Sequence, residues 1–168
     1  MRIDEFKKLL NKIQFLNVAT VNADGHPNAA PKMILKTLDE FIYLIDCTIG
    51  KTWENLNRDS SVSLSFVDEK SLKGYQVKGK GKIIEGHAIC QQLIDDLQEK
   101  EMALTVKRVI DGVREKKIHE DFEMGMSDKF VIFKIEILEV VEIGYKGNLA
   151  RKDFKALLLN EQIKELEK

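Results

Sequence analysis

Cysteine, proline and net charge are all scarce in this sequence. Its two cysteines, Cys47 and Cys90, lie far apart, which excludes a disulfide framework and a zinc site built from neighbouring thiols, so reduced thiols are expected. Only two prolines, Pro27 and Pro31, occur in 168 residues, and the composition is neither that of a disordered tail nor that of a fibre. The 27 Lys and Arg nearly balance 28 Asp and Glu, for a formal charge of -1. Such a chain has no long-range field to draw in nucleic acid or an anionic membrane, and neither is expected as a partner. No apolar run reaches bilayer-spanning length, and the first residues form a mixed-charge amphipathic segment rather than a basic start followed by an apolar stretch. A cytoplasmic location is the expectation.

Motifs of the common enzyme classes are missing as well. There is no Walker phosphate loop, no dinucleotide-binding glycine fingerprint, no HExxH and no G-x-S-x-G elbow. The three histidines, His26, His87 and His119, have no metal-ligand spacing, and no metal is expected.

What remains is 43% hydrophobic and 33% charged residues, enough for one core in one domain spanning 1–168, or for one half of a homodimer. Phe6, Leu9, Leu10 and Ile13 share one face of a first helix, with Asp4 as its expected N-cap. Phe15 to Val21 reads as a strand, Asn22-Ala23-Asp24-Gly25 as a turn, and Asn28 to Lys36 as the returning strand. Phe41 to Asp46 is a third strand, and Lys51 to Asn57 a short helix with Trp53 and Leu56 on one side. Ser61 to Val67 alternates, with Val62, Leu64 and Phe66 inward and serines outward. In Lys73 to Glu85, Gly79 and Gly81 mark a corner, a bulge or a close approach. Helical spacing covers about 88–115, read as two inserted helices, and a loop is expected from Lys117 to Asp128. Phe130 to Ile143, branched on both faces, is a central or interface strand that closes the sheet, and a C-terminal helix follows over about 151–168. Without strand-helix-strand repeats, these elements predict a mainly β protein: a six-stranded antiparallel barrel with peripheral helices.

The chemistry concentrates at the end of the third strand. Thr48 and Thr52 offer hydroxyls, Lys51 a charge, Gly50 room for close approach, and the helix start its free N–H groups. The set suits a phosphate, and equally a helix capped by Thr48 with a solvated Lys51. Alternation sends Lys32, Ile34 and Lys36 to one face and Pro31, Met33 and Leu35 to the other. Lys32 and Lys36 are then either phosphate partners or the wet face of a half-buried strand. Trp53 reads as an anchoring aromatic, Gln76 as an amide toward a polar ring or water, and Lys78, Lys80 and Lys82 as edge-protecting lysines. Cys47 reads as a packed or ligand-lining thiol, since no neighbouring His or second Cys makes a nucleophile pair.

In order and spacing these segments resemble the pyridoxamine 5'-phosphate oxidase-like FMN-binding split-barrel family. The segments are Phe15 to Thr20, Asp24-Gly25-His26-Pro27, Pro31 to Lys36, Phe41 to Asp46, Lys51-Thr52 with Asn55-Leu56, and Ser61 to Val67. The resemblance covers the first half of the chain, and Tyr75 to Gly81 extends it. It implies an FMN cofactor in a cleft between two subunits of a homodimer. Lys32, Met33, Ile34 and Lys36 would border the flavin, and Asp46, Cys47 and Thr48 would line the cleft. Lys51 and Thr52 would take the phosphate, and Gln76 would reach the ring or ribityl chain. It further implies an oxidoreductase passing reducing equivalents between a donor and a small acceptor through flavin N5, with no catalytic side chain named. The arginine-containing C-terminal substrate segment of true pyridoxamine phosphate oxidases has no counterpart, so that activity is not expected. The alternatives are a non-catalytic flavin carrier or sensor, a related barrel binding haem or a deazaflavin, and a purely structural dimeric barrel.

Overall fold

The computed structural model describes residues 3–47, 49–85, 89, 91–115 and 130–166. The elements run α1 (Ile3–Leu10), β1 (Phe15–Val21), β2 (Pro27–Leu38), β3 (Phe41–Asp46), α2 (Lys51–Arg58), β4 (Ser61–Asp68), β5 (Lys73–Ile84), α3 (Gln91–Glu115), β6 (Val131–Ile143), β7 (Leu149–Asp153) and α4 (Phe154–Leu166). The expected loop from Lys117 to Asp128 lies outside the described residues.

All strand pairs are antiparallel, in the order β3-β2-β1-β4-β5-β6-β7, and β3 also pairs with β6. That last pairing closes six strands into a barrel, as the sequence predicts. The long β6 has two different neighbours on its free side. Its first half runs beside β3, from Asp46↔Val131 to Phe41↔Glu136, and its second half beside β7, from Glu139↔Asp153 to Ile143↔Leu149. The barrel is therefore split along one seam.

Alternation fills the inside. Leu16, Val18, Ile34, Leu44, Leu64, Val77, Phe133 and Ile135 form the barrel core. Phe6 of α1 and Phe154 of α4 join the same cluster, beside Phe66 and Tyr75. A second cluster lies outside the barrel, where Leu93 and Leu97 of α3 cover Leu35, Tyr43, Ile45 and Ile132. The outward residues of β1 and β4, by contrast, include exposed Phe15, Val21 and Val67 and a row of serines.

The glycines of β5 are explained by crowding. A Cβ at Gly79 would sit 2.3 Å from the Glu136 carbonyl oxygen, and one at Gly81 would sit 2.8 Å from a Leu56 methyl. The register against β6 shifts between Lys78 and Gly79, so the bulge and the close approach coincide.

Three expectations need correction. The 91–115 segment is one helix rather than two. Residues 151–153, expected to open the C-terminal helix, belong instead to β7 (149–153) on the edge of β6, and the helix begins at Phe154. Asp4 lies within the first turn of α1 instead of capping it, where its charge still favours the helix dipole.

Candidate functional site

The β2 strand supplies one wall of the site, and a bulge decides which residues it presents. The register against β3 shifts between Ile34 and Lys36, and the extra residue, Leu35, packs under α3. Lys32 and Ile34 therefore share the inner face, while Lys36 turns outward to the Asp96 carboxylate of α3, with its ammonium 5.5 Å from the Tyr43 ring centroid. The uninterrupted alternation expected for Lys32, Ile34 and Lys36 is thus broken after Ile34. Lys32 pairs across β1 with the core residue Leu16. Its ammonium lies 2.5 Å from an Asp46 carboxylate oxygen, with side-chain exposures of only 10% and 8%.

Five residues beyond Asp46, α2 begins at Lys51, and its N-cap, Gly50, has an extended backbone and makes no side-chain cap hydrogen bond. The Trp53 and Glu54 N–H groups both donate to the Gly50 carbonyl, leaving the first-turn N–H groups of Lys51 and Thr52 without intrahelical acceptors. Lys51 is solvent-exposed and pairs with Glu54 at 2.6 Å. The hydrogen bond and charge of Glu54 raise the Lys51 pKa, with a smaller contribution from the Asp24 charge, so the side chain stays cationic. Asp24 in turn sits below the usual carboxylate range because it accepts the His26 backbone N–H.

A buried polar network holds this helix from behind. Asn55 donates through Nδ2 to Thr20 Oγ1 and to Asn22 Oδ1, each at 2.9 Å. Asn28 Nδ2 donates to Thr20 Oγ1 at 3.2 Å and to Thr52 Oγ1 at 3.4 Å. Thr20, Thr52 and Asn55 are all buried. The Thr52 hydroxyl therefore faces the network, and what Thr52 offers outward is its backbone N–H. Arg58, at the other end of α2, donates to the Val21 carbonyl.

The residues expected at the site thus divide. Asp46, Cys47, Lys51 and Thr52 follow one another through the β3–α2 connection into the first turn of α2, with Asp46 against Lys32 and Cys47 exposed. Met33 points outward against the α3 cluster, and Ile34 is in the barrel core. Thr48 lies outside the described residues, as do His87, Cys90 and His119. Gln76 stands on β5 with its amide donating to Ser63 Oγ at 3.1 Å. Three strand spacings separate β5 from β2, about 14 Å at the usual interstrand distance. Trp53 anchors α2, packing against the core while its indole N–H donates to Glu85 at 3.2 Å. Lys78 and Lys80 are engaged at the surface by Glu139 and Ser61.

Nothing local in the sequence marks Thr20, Asn22 and Asn28 as site residues. Asn55 is marked in the sequence only by its place after Lys51-Thr52, because a donor's partner 35 residues away is set by the tertiary fold. On the outer face of β1 and β4 there is also an open cleft of about 300 Å³, bordered by Phe15, Asn17, Pro31, Ser65, Val67 and Glu69. Among the described residues no cluster of His, Cys, Asp and Glu could hold a metal ion, and no helix is long and apolar enough to cross a membrane.

Comparison with known proteins places this geometry in context. The family model for pyridoxamine 5'-phosphate oxidase matches residues 3–143. No curated protein matches the chain. Among solved structures, a Clostridium acetobutylicum protein related to general stress protein 26 of B. subtilis, of the pyridoxinephosphate oxidase family, is similar at a TM-score of 0.66 and 15% identity, covering 92% of this chain and 96% of that one. A heme binding protein from Mycobacterium smegmatis is similar at 0.60 and 15%, covering 91% of this chain and 58% of that one. An FMN binding protein from Nostoc punctiforme, related to pyridoxamine 5'-phosphate oxidase, is similar at 0.53 and 13%, covering 90% and 93%. At these identities the likeness is one of fold.

Proposed function

The chain belongs to the pyridoxamine 5'-phosphate oxidase family, and from that premise we propose that it binds FMN beside the β3–α2 connection, as an oxidoreductase acting on a small substrate. The observation that carries this reading is the start of α2. A helix end without a side-chain cap and an exposed cation in its first turn are the donors a phosphate needs.

The donor set fits this cofactor. Lys51 is a flexible point charge, able to leave the solvent-exposed Glu54 for a dianion, because exposed ion pairs are weak. The N–H groups of Lys51 and Thr52 add oriented donors. Lys32 is committed to Asp46 and Lys36 to Asp96, so the phosphate charge falls mainly on Lys51. Met33 and Cys47 provide an apolar and polarizable flank, and Gln76 provides an amide at the distance of a long, flat group. When bound, the flavin supplies hydride acceptance and donation, while the protein orients it and sets its polarity. The exposed face of β1 and β4, with its cleft and its serines, supports a second copy of the chain packing there and enclosing the cofactor.

Haem is the second reading, since a haem-binding protein shares the fold. His26, the one histidine among the described residues, sits exposed on the β1–β2 turn beside Asp24, and the spectrum below separates the two cofactors.

The test is an absorption spectrum of gently purified protein, identification of the released cofactor, and a solution mass. Released FMN from a dimer is expected. A Soret band would transfer the site to haem, and a folded protein that takes up neither group would end the proposal. If FMN binds, Lys51→Ala is expected to weaken it by about tenfold, the equivalent of one lost charge-assisted hydrogen bond. Riboflavin, which lacks the phosphate, should bind equally to both forms.

A further inference from the structure

Asn55 occupies a position with no solvent role. It lies in the second turn of α2, is 4% exposed, and spends both amide hydrogens on the opposite wall: one on Thr20 of β1 and the other on Asn22 of the β1–β2 turn. Asn28 spans the same gap from β2, touching Thr20 and Thr52. Three carboxamides and two threonine hydroxyls thus join α2 to a β1–β2 hairpin more than 20 residues earlier in the chain. With Gly50 as its N-cap, α2 has no side-chain cap of its own, so the placement of its first turn depends on these side bonds and on the packing of Trp53 and Leu56.

We infer that Asn55 is a positioning residue that makes the site selective for phosphorylated over unphosphorylated ligands, by fixing the first turn of α2 against the β1–β2 hairpin. This rests on the FMN reading above. The physical basis is angular. A phosphate held by two backbone N–H groups and one lysine needs those donors converged on one point, and a small tilt of α2 would spread them. An apolar ring stacked on the barrel wall tolerates the same tilt. Loss of Asn55 therefore acts on the phosphate alone, although Asn55 touches no part of the ligand.

The experiment measures FMN and riboflavin dissociation constants side by side for the wild type, Asn55→Ala and Arg58→Ala. Arg58 ties only the C-terminal end of α2 to the Val21 carbonyl, so its loss frees that end while the Asn55 and Asn28 bonds still hold the first turn in place. For Asn55→Ala, FMN is expected to weaken by about tenfold and riboflavin by no more than about twofold, so the preference for FMN collapses. In Arg58→Ala the preference should survive. Parallel weakening of both ligands by Asn55→Ala, or a preference unchanged despite a lower melting temperature, would show Asn55 to be structural only and overturn the inference. Should Asn55→Ala not fold, Asn28→Ala removes the adjoining bonds and must reduce the same ratio, or the inference fails. A wild type that binds FMN with no preference over riboflavin overturns it too. A wild type that binds neither flavin removes the FMN reading itself, a result distinct from all of these.

Discussion

Lys32→Met is expected to destabilise the protein by about 3–5 kcal/mol, the usual cost of breaking a buried ion pair by removing one member. In this variant Asp46 keeps a side chain only 8% exposed and loses the ammonium 2.5 Å away. Adding Asp46→Leu should restore most of the loss, since exchanging both members of a buried ion pair for apolar groups is often close to neutral. Urea unfolding of the wild type, both single variants and the double variant closes the cycle, with the coupling read from midpoints at constant slope. A Lys32→Met loss below about 1 kcal/mol would put the pair in the class of exposed, weak surface bridges and refute its buried role.

The second large effect belongs to Phe6→Ala, with a loss of about 3–5 kcal/mol. Phe6 is fully buried, with ring centroids 6.2 Å from Phe66, 6.2 Å from Tyr75 and 6.1 Å from Phe154. Removing the ring opens a cavity where α1, α4 and two strands meet, and none of these aromatics can collapse into it without leaving the others. Phe6→Leu, which keeps most of the volume, should cost clearly less. Thermal unfolding checks the pair. Equal losses for the two variants would mean that the site relaxes freely and that aromatic packing there contributes little.

Both effects rest on residues whose environment the sequence discloses unequally. Phe6 is legible, because helical spacing with Leu9 and Leu10 puts it on a buried face. Lys32 is half legible: alternation assigns its face together with Ile34, but nothing local shows that Asp46 lies opposite. The strands β1 to β6 follow from alternation, turn residues and branched composition, and with them the closed antiparallel barrel.

Misreadings occur where local preference is weak or overridden. Leu-Ala-Arg-Lys-Asp at 149–153 has helix-compatible composition and no alternation, and it is a strand only because β6 offers it an open edge. The α3 segment reads as two helices, yet its lone Gly112 costs about 1 kcal/mol and does not break a helix free of proline. The β2 bulge, which sends Lys36 to Asp96 instead of the cofactor side, has no glycine to announce it. At the candidate site, Lys51, Thr52 and Cys47 are legible from their spacing along one connection. The network behind them is not, since Thr20, Asn28 and Asn55 become neighbours only through the antiparallel return of β2 and the docking of α2.

The split pairing of β6 also bears on how the chain assembles during synthesis. β1 to β3 are joined by tight turns, and so are β4 and β5, so each group can form as soon as it emerges. The β3–β6 seam instead joins residues about 85 positions apart at its nearest rung, and the entropy of closing that span must be met before the seam returns any stabilisation. Until Val131 to Ile143 leave the ribosome, β3 and β5 remain open edges able to pair with strands of another chain. One late strand covers both, which makes β6 the protein's protection against aggregation as well as the closure of its barrel.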